Sequence, residues 1–225
     1  MKKYQLPTPE QCLEIIKEYH VPQRIIKHSL TVAKLAVFLG ERLKEKSIPL
    51  DVELLERAAL LHDIARVCDF DRLDPNKFEQ TVTERDKAKW TRIRAKYKKI
   101  GHENAAYEIF KERYPKLAVT IKRHRYMGML DERTRPAAWE EKLLYYADMR
   151  VMHDRIVPLE QRLKDGHKRN VHLHGTEAQS KINTAKVDPL IYRLEEEIFD
   201  KIGLNPLEIT NRFIDSYSNN TQHKD

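Results

Sequence analysis

Six glycines in 225 residues, none close to another, limit what this chain can become. Hairpin turns draw heavily on glycine, so a sandwich or barrel built from many short strands is excluded. Isolated glycines also exclude the G-x-G-x-x-G and G-x-x-x-x-G-K-[ST] loops, and with them Rossmann and P-loop phosphate binding. What remains is helix, and apolar residues recur at three-to-four spacing nearly throughout. A content of 40% hydrophobic and 34% charged residues fits amphipathic helices around a core. A chain this long buries roughly 70% of its unfolded surface, so it folds without disulfides or a structural metal. The expectation is an all-α protein, with a core over residues 1–160 and a smaller helical carboxy-terminal addition over 161–225.

Thr8-Pro9-Glu10-Gln11 has the marks of a helix start, and Ile15, Ile16 and Tyr19 supply that helix with an apolar face. A second helix follows Pro22, with Ile26, Leu30, Ala33 and Val37 in register, and Ser47-Ile48-Pro49 ends it. Asp51 caps a third, whose Leu54, Leu55, Ala58 and Leu61 lead into His62-Asp63. Residues 67–77 read as a loop, 78–99 as a basic helix, and Gly101 as a break before a helix at 102–113. Tyr114-Pro115 opens a short helix ending near His124, and a loop at 125–136 precedes a helix from Pro136 to Asp148. Residues 165–188 read as a long loop or partly disordered insert, 189–215 as a helical pair, and Ser218–Asp225 as a disordered tail.

Cys12 and Cys68 form neither a disulfide framework nor a zinc knuckle, and Cys68 reads as a small buried filler. No apolar run approaches the ~20 residues that span a bilayer, and the amino terminus lacks a signal core, so a cytoplasmic protein without membrane contact is expected. A net charge of +7 favours anionic partners such as nucleotides or nucleic acid.

Six residues carry the chemistry: His28 in IIKHSLTVAKLA, His62-Asp63 in AALLHDIA, His102 in IGHENAA, His124 in TIKRHRY and Asp148 in LLYYADMRV. An imidazole or carboxylate among Leu and Ala is costly to bury unpaired. A divalent cation removes that cost, because neutral His and ionised Asp are its natural ligands.

In this order and helical context, His28, His62-Asp63 and Asp148 resemble the H…HD…D signature of the HD-domain metal-dependent phosphohydrolases, over roughly residues 20–160. The resemblance implies a helical bundle with a metal held by His28, His62, Asp63 and Asp148. His102 and His124 are similar to the two extra histidines of the family's dinuclear branch, which implies two ions with Asp63 touching both. Mixed His/carboxylate ligation suits Fe, Mn, Zn or Ni better than Mg. Two such cations would clamp a phosphoryl oxygen and generate a hydroxide nucleophile.

The implied activity is hydrolysis of a phosphoester or phosphoanhydride of a small, nucleotide-like substrate, with His62, Asp63 and Arg66 as the catalytic group. Many family members have Lys three residues after the HD Asp, where this chain has Arg66. Arg66 and Arg24, which is one turn before His28, read as phosphate contacts or as ion-pair partners of a ligand Asp. Arg150 and Arg155 are further substrate-binding candidates on the same logic. The alternative is a non-catalytic module that binds a nucleotide or RNA through the same pocket and the basic helix.

That helix carries Arg85, Lys89, Arg92, Lys96 and Lys99 along one stripe and Trp90, Ile93 and Tyr97 along another. The pattern suits nucleic-acid binding or steering of polyphosphates, but its plainest reading is a packed helix with a solvated basic face. His167, His172 and His174 read as a surface loop. His20, His153 and His223 follow no pattern.

Overall fold

Thr8 starts the first helix as its sequence predicts. Its hydroxyl accepts from the Gln11 N–H at 3.2 Å, and the Gln11 side chain accepts from the Thr8 N–H at 2.9 Å, opening α1 (Pro9–Glu18). The structure is a computed structural model and describes residues 4–170 and 176–221. Among these residues the chain forms ten α-helices and one two-stranded ribbon.

The second helix, α2 (Gln23–Glu45), is the axis of the fold. Val32, Leu35, Ala36, Leu39 and Leu43 on it are fully buried, whereas Leu30, read as a core residue from its spacing, faces outward. Residues 29–40 are apolar on several sides, so periodicity alone does not choose the inner face. Against α2 lies α3 (Val52–Leu61), capped by the Asp51 carboxylate accepting from Leu54 N–H at 3.0 Å. A Cβ on Gly40 would meet the Leu55 side chain at 3.1 Å, so this glycine sets the close approach of the two helices.

The basic helix α4 (Glu84–Tyr97) starts later than its sequence suggests. A Thr83–Asp86 capping box fixes its first turn, and residues 78–83 are not helical. Then come α5 (His102–Phe110), α6 (Pro115–Lys122) and α7 (Trp139–Asp148). The loop between α6 and α7 contains a 3-10 turn at Tyr126–Leu130. α7 packs against α2 and α3 through Leu143, Leu144 and Ala147, which are fully buried.

A feature without a sequence signal follows: β1 (Val151–Met152) pairs antiparallel with β2 (Arg155–Ile156), with His153 at positive φ in the tight turn. Most of the stretch read as a loop at 165–188 is helical, in α8 (Leu159–Asn170) and α9 (Glu177–Ile202). Gly166, which with Gly175 and scattered polar residues suggested a loop, lies inside α8, and Pro189 lies inside α9. Val187, Ile191, Leu194, Ile198 and Ile202 form a buried stripe that holds α9 together through Pro189.

Gly203 ends α9 in the left-handed conformation, and α10 (Asn211–Thr221) runs through the first four residues of the expected tail. His172, His174 and His223 lie outside the described residues. Ile209, Ile214 and the α9 stripe belong to the same buried cluster as α2 and α3. No described helix is long and apolar enough to cross a membrane.

Candidate metal centre

The chemistry-bearing residues sit at helix ends facing one another. His28 lies in the second turn of α2, His62-Asp63 just past α3, His102 at the start of α5, His124 just past α6 and Asp148 at the last residue of α7. A helix end lets a side chain leave the packed face without opening the core. Gly101 supplies the positive φ that swings His102 inward, and among the described contacts His102 does not cap α5.

The four imidazoles share one orientation. His28 Nδ1–H donates to the His153 carbonyl at 2.8 Å, and His62 Nδ1–H to the Ala59 carbonyl at 2.8 Å. His124 Nδ1–H donates to the Ile121 carbonyl, and His102 Nδ1–H to the Asp69 carboxylate. Each ring therefore points its Nε2 inward, where loss of the proton from that nitrogen gives the tautomer a metal ligand needs. His28 Nε2 lies 2.9 Å from Asp148 Oδ1, and His102 Nε2 lies 3.2 Å from Asp63 Oδ1. His62 Nε2 is 3.8 Å from both Asp63 and Asp148, fully buried and without a hydrogen-bond partner. His102 Nε2 and His124 Nε2 stand 3.1 Å apart, two lone pairs that repel unless a cation or proton lies between them.

Charge reinforces the pattern. Burial pushes His62 down to about 4, and burial together with His102 also lowers His124, so both are neutral near pH 7. Burial alone would raise Asp63, but His62, Arg66 and His102 outweigh it and hold it well below the usual carboxylate range. Asp148 is depressed in the same way, burial being overcome chiefly by the hydrogen bond from His28. In His28–His62–Asp63, His62–His124–Asp148 and Asp63–His102–His124, the candidate ligating atoms within each group all lie within 4.8 Å of one another. These groups fit a divalent metal, because His62 Nε2 is buried without a partner between the two ionised carboxylates, Asp63 and Asp148.

Arg66 lies beside the centre, its Nη1 2.9 Å from His102 Nε2, 4.0 Å from Asp63 and 3.8 Å from Asp69. Arg24 donates to His153 Nδ1 at 2.6 Å, on the side of His28. Two cavities, of about 420 and 750 Å³, meet here and share Arg66, Asp69, Asp71, Asp148 and Arg162 in their walls. Tyr126, Met127, Met149, Leu163 and His167 are among the other walls of the smaller, and Arg24, Arg72, Asp74, Lys77 and Arg169 among those of the larger.

Two of the proposed substrate contacts are elsewhere. Arg150 is 1% exposed and spends its guanidinium inside the fold, on the Val157, Pro206 and Ile209 carbonyls, Tyr146 and Glu195. It follows Asp148 by two residues and so points away from it. Arg155 is exposed on β2 and lines neither cavity. His167 lies on α8 rather than in a surface loop, bonded to Asp188 at 2.8 Å, with Asp188 also accepting from Tyr126.

The aromatic stripe of α4 is core: Trp90 is fully buried and donates to the His20 carbonyl at 2.6 Å, with Ile93 and Tyr97 buried beside it. Arg85, Arg92, Lys96 and Lys99 are exposed, and Lys89 is half-buried over Tyr19. Sequence reasoning missed Asp69, Arg162 and the His153 carbonyl. Asp69 had a usable signal, three residues beyond Arg66 on the same 3-10 turn (Arg66–Asp69).

Residues 25–152, more than half of the chain, match the family described as HD domain. The chain is also similar to a tRNA (cytidine(56)-2'-O)-methyltransferase of Picrophilus torridus, at 28% identity over 167 residues. That alignment covers 74% of this chain and 43% of the relative, so the chain spans less than half the length of the protein it matches. No solved structure matches it.

Proposed function

The chain belongs to the HD domain family, and from that premise we propose that it is a metal-dependent phosphohydrolase acting on a phosphoester or phosphoanhydride bond of a nucleotide-like substrate. The observation that carries this reading is the shared orientation of the four imidazoles around two ionised carboxylates, with His62 Nε2 left unpartnered. A purely structural core has no use for such an arrangement, which costs several kcal/mol when uncompensated.

In this reading His28, His62, Asp63 and Asp148 would hold one divalent cation, and His102 and His124, with Asp63 shared, would hold a second. Fe, Mn, Zn or Ni suits these donors better than Mg. When bound, such cations polarise a phosphoryl oxygen and acidify a water. The chain's own residues do the rest. The His153, Ala59 and Ile121 carbonyls and Asp69 keep the imidazoles in the ligating tautomer. Arg66 and Arg24 place positive charge where phosphoryl oxygens enter. Asp63 stays ionised because His62, Arg66 and His102 surround it.

Protein reconstituted with Mn or Fe is expected to hold about two ions per chain and to hydrolyse at least one member of a set of mono-, di-, cyclic and dinucleoside polyphosphates. Chelation should remove that turnover. His124→Ala should leave about one ion, measured by elemental analysis. Full metal loading with no turnover of any nucleotide would instead favour a regulatory module.

A second reading, RNA binding along α4, has in its favour the tRNA in the relative's name. Against it stands the burial of Trp90, Ile93 and Tyr97, which leaves no aromatic platform there for bases. Replacing Arg92 and Lys96 together with Gln should therefore leave nucleotide turnover and its salt dependence unchanged. A loss of steeply salt-dependent RNA affinity in that variant, followed by filter binding, would reverse the preference.

A further inference from the structure

We infer that Arg162, on α8, is a phosphate-binding residue of this centre, supplied from outside the segment that carries the family pattern. The inference rests on the hydrolase reading and adds a substrate contact to it. The family match ends at residue 152, whereas α8 begins at Leu159. The carboxy-terminal addition thus brings a cation of its own to the site.

Arg162 lines both cavities, at the wall they share beside Asp148 and Arg66. Its Nε donates to the Val151 carbonyl at 2.8 Å, which anchors the guanidinium to the ribbon that follows α7. Among the described residues its two terminal nitrogens have no hydrogen-bond acceptor. Arg150 makes the contrast: nearly buried like a structural arginine, it satisfies all three of its nitrogens with protein acceptors. An arginine clamped at Nε with its outer pair of donors left open has the fork that phosphoryl oxygens accept.

The helix is also shaped for this side chain. A Cβ at Gly166, one turn further along α8, would lie 2.9 Å from Arg162 Nη1. A mid-helix glycine weakens a helix relative to alanine, and here the missing Cβ leaves the space beside which Arg162 Nη1 sits. Arg24, Arg66 and Arg169 line the same cavity, set among five aspartates, so its cations are interleaved with the carboxylates that the proposed metal ions would offset.

The test measures inorganic phosphate binding by calorimetry to Mn-reconstituted protein, with metal content and thermal melting recorded for every variant. Arg162→Gln should weaken phosphate about 10- to 100-fold while leaving metal content unchanged. Arg162→Lys should recover only part of that loss, because an ammonium has no fork. Gly166→Ala, which keeps Arg162 but crowds it, should weaken phosphate by a smaller factor. Lys164→Gln, exposed on the same helix, should match wild type.

Arg162→Gln binding phosphate like wild type, with metal retained, overturns the assignment and leaves the hydrolase reading intact. Should Arg162→Gln fail to fold, wild-type affinity in both Arg162→Lys and Gly166→Ala overturns it equally. Wild-type protein that holds its metal but binds no phosphate overturns the assignment and the hydrolase reading together.

Discussion

Asp63→Asn is expected to lower kcat by at least about 10³-fold on any phosphoester the wild type turns over, with the helical circular dichroism retained. Asp63 belongs to two of the candidate ligand groups, so the loss of its charge reaches both halves of the centre at once. The amide is nearly isosteric, which separates charge from packing. It cannot balance the Arg66 guanidinium 4.0 Å away. Metal content should fall together with turnover. Near-wild-type turnover at saturating metal would refute the ligand assignment.

The second large effect is on stability. Arg150→Met should cost about 3–5 kcal/mol, the range for removing one partner of a buried charge pair. The methionine fills much of the space but removes the donor to Glu195 and to the Val157, Pro206 and Ile209 carbonyls, leaving Glu195 with the Tyr146 hydroxyl and Pro206 with the Ile209 N–H. Arg150→Lys should recover little, since a single ammonium cannot reach acceptors spread around a planar fork. Arg155→Gln, a change on the exposed side of β2, should fall within about 0.5 kcal/mol of wild type. Urea unfolding of the three variants decides it, and an Arg150→Met midpoint equal to wild type would contradict the structural role.

The two arginines show where reading the sequence stops. The all-α architecture was legible because helical periodicity and scarce glycine leave few alternatives. His28, His62, Asp63, His102, His124 and Asp148 stood out because polar residues among Leu and Ala demand a reason, and the structure brings all six together. Arg150 was drawn toward the site by its nearness to Asp148 in the chain, but a two-residue step at a helix end reverses direction. Arg162 was invisible for the opposite cause: it sits in a segment with no motif, and only tertiary packing brings α8 against Asp148.

The end of α8 and the start of α9 were misread because Gly166, Gly175 and scattered polar residues imitate a loop, while the stripe from Val187 to Ile202 becomes evident only once its partner surface is known. The His153 contribution is made by a backbone carbonyl, which leaves no trace in residue type.

His28 and Asp148 meet at 2.9 Å although 120 positions separate them in the chain. An ion held between such distant segments closes a very long loop, and the entropy of that closure is met only after most of the bundle has assembled. A nascent chain that has emerged through residue 140 carries five of the six donors and still lacks the carboxylate that completes the set. On the proposed ligand set, metal capture would be a late event in folding, and its onset would report that the polypeptide has been threaded to the end of α7.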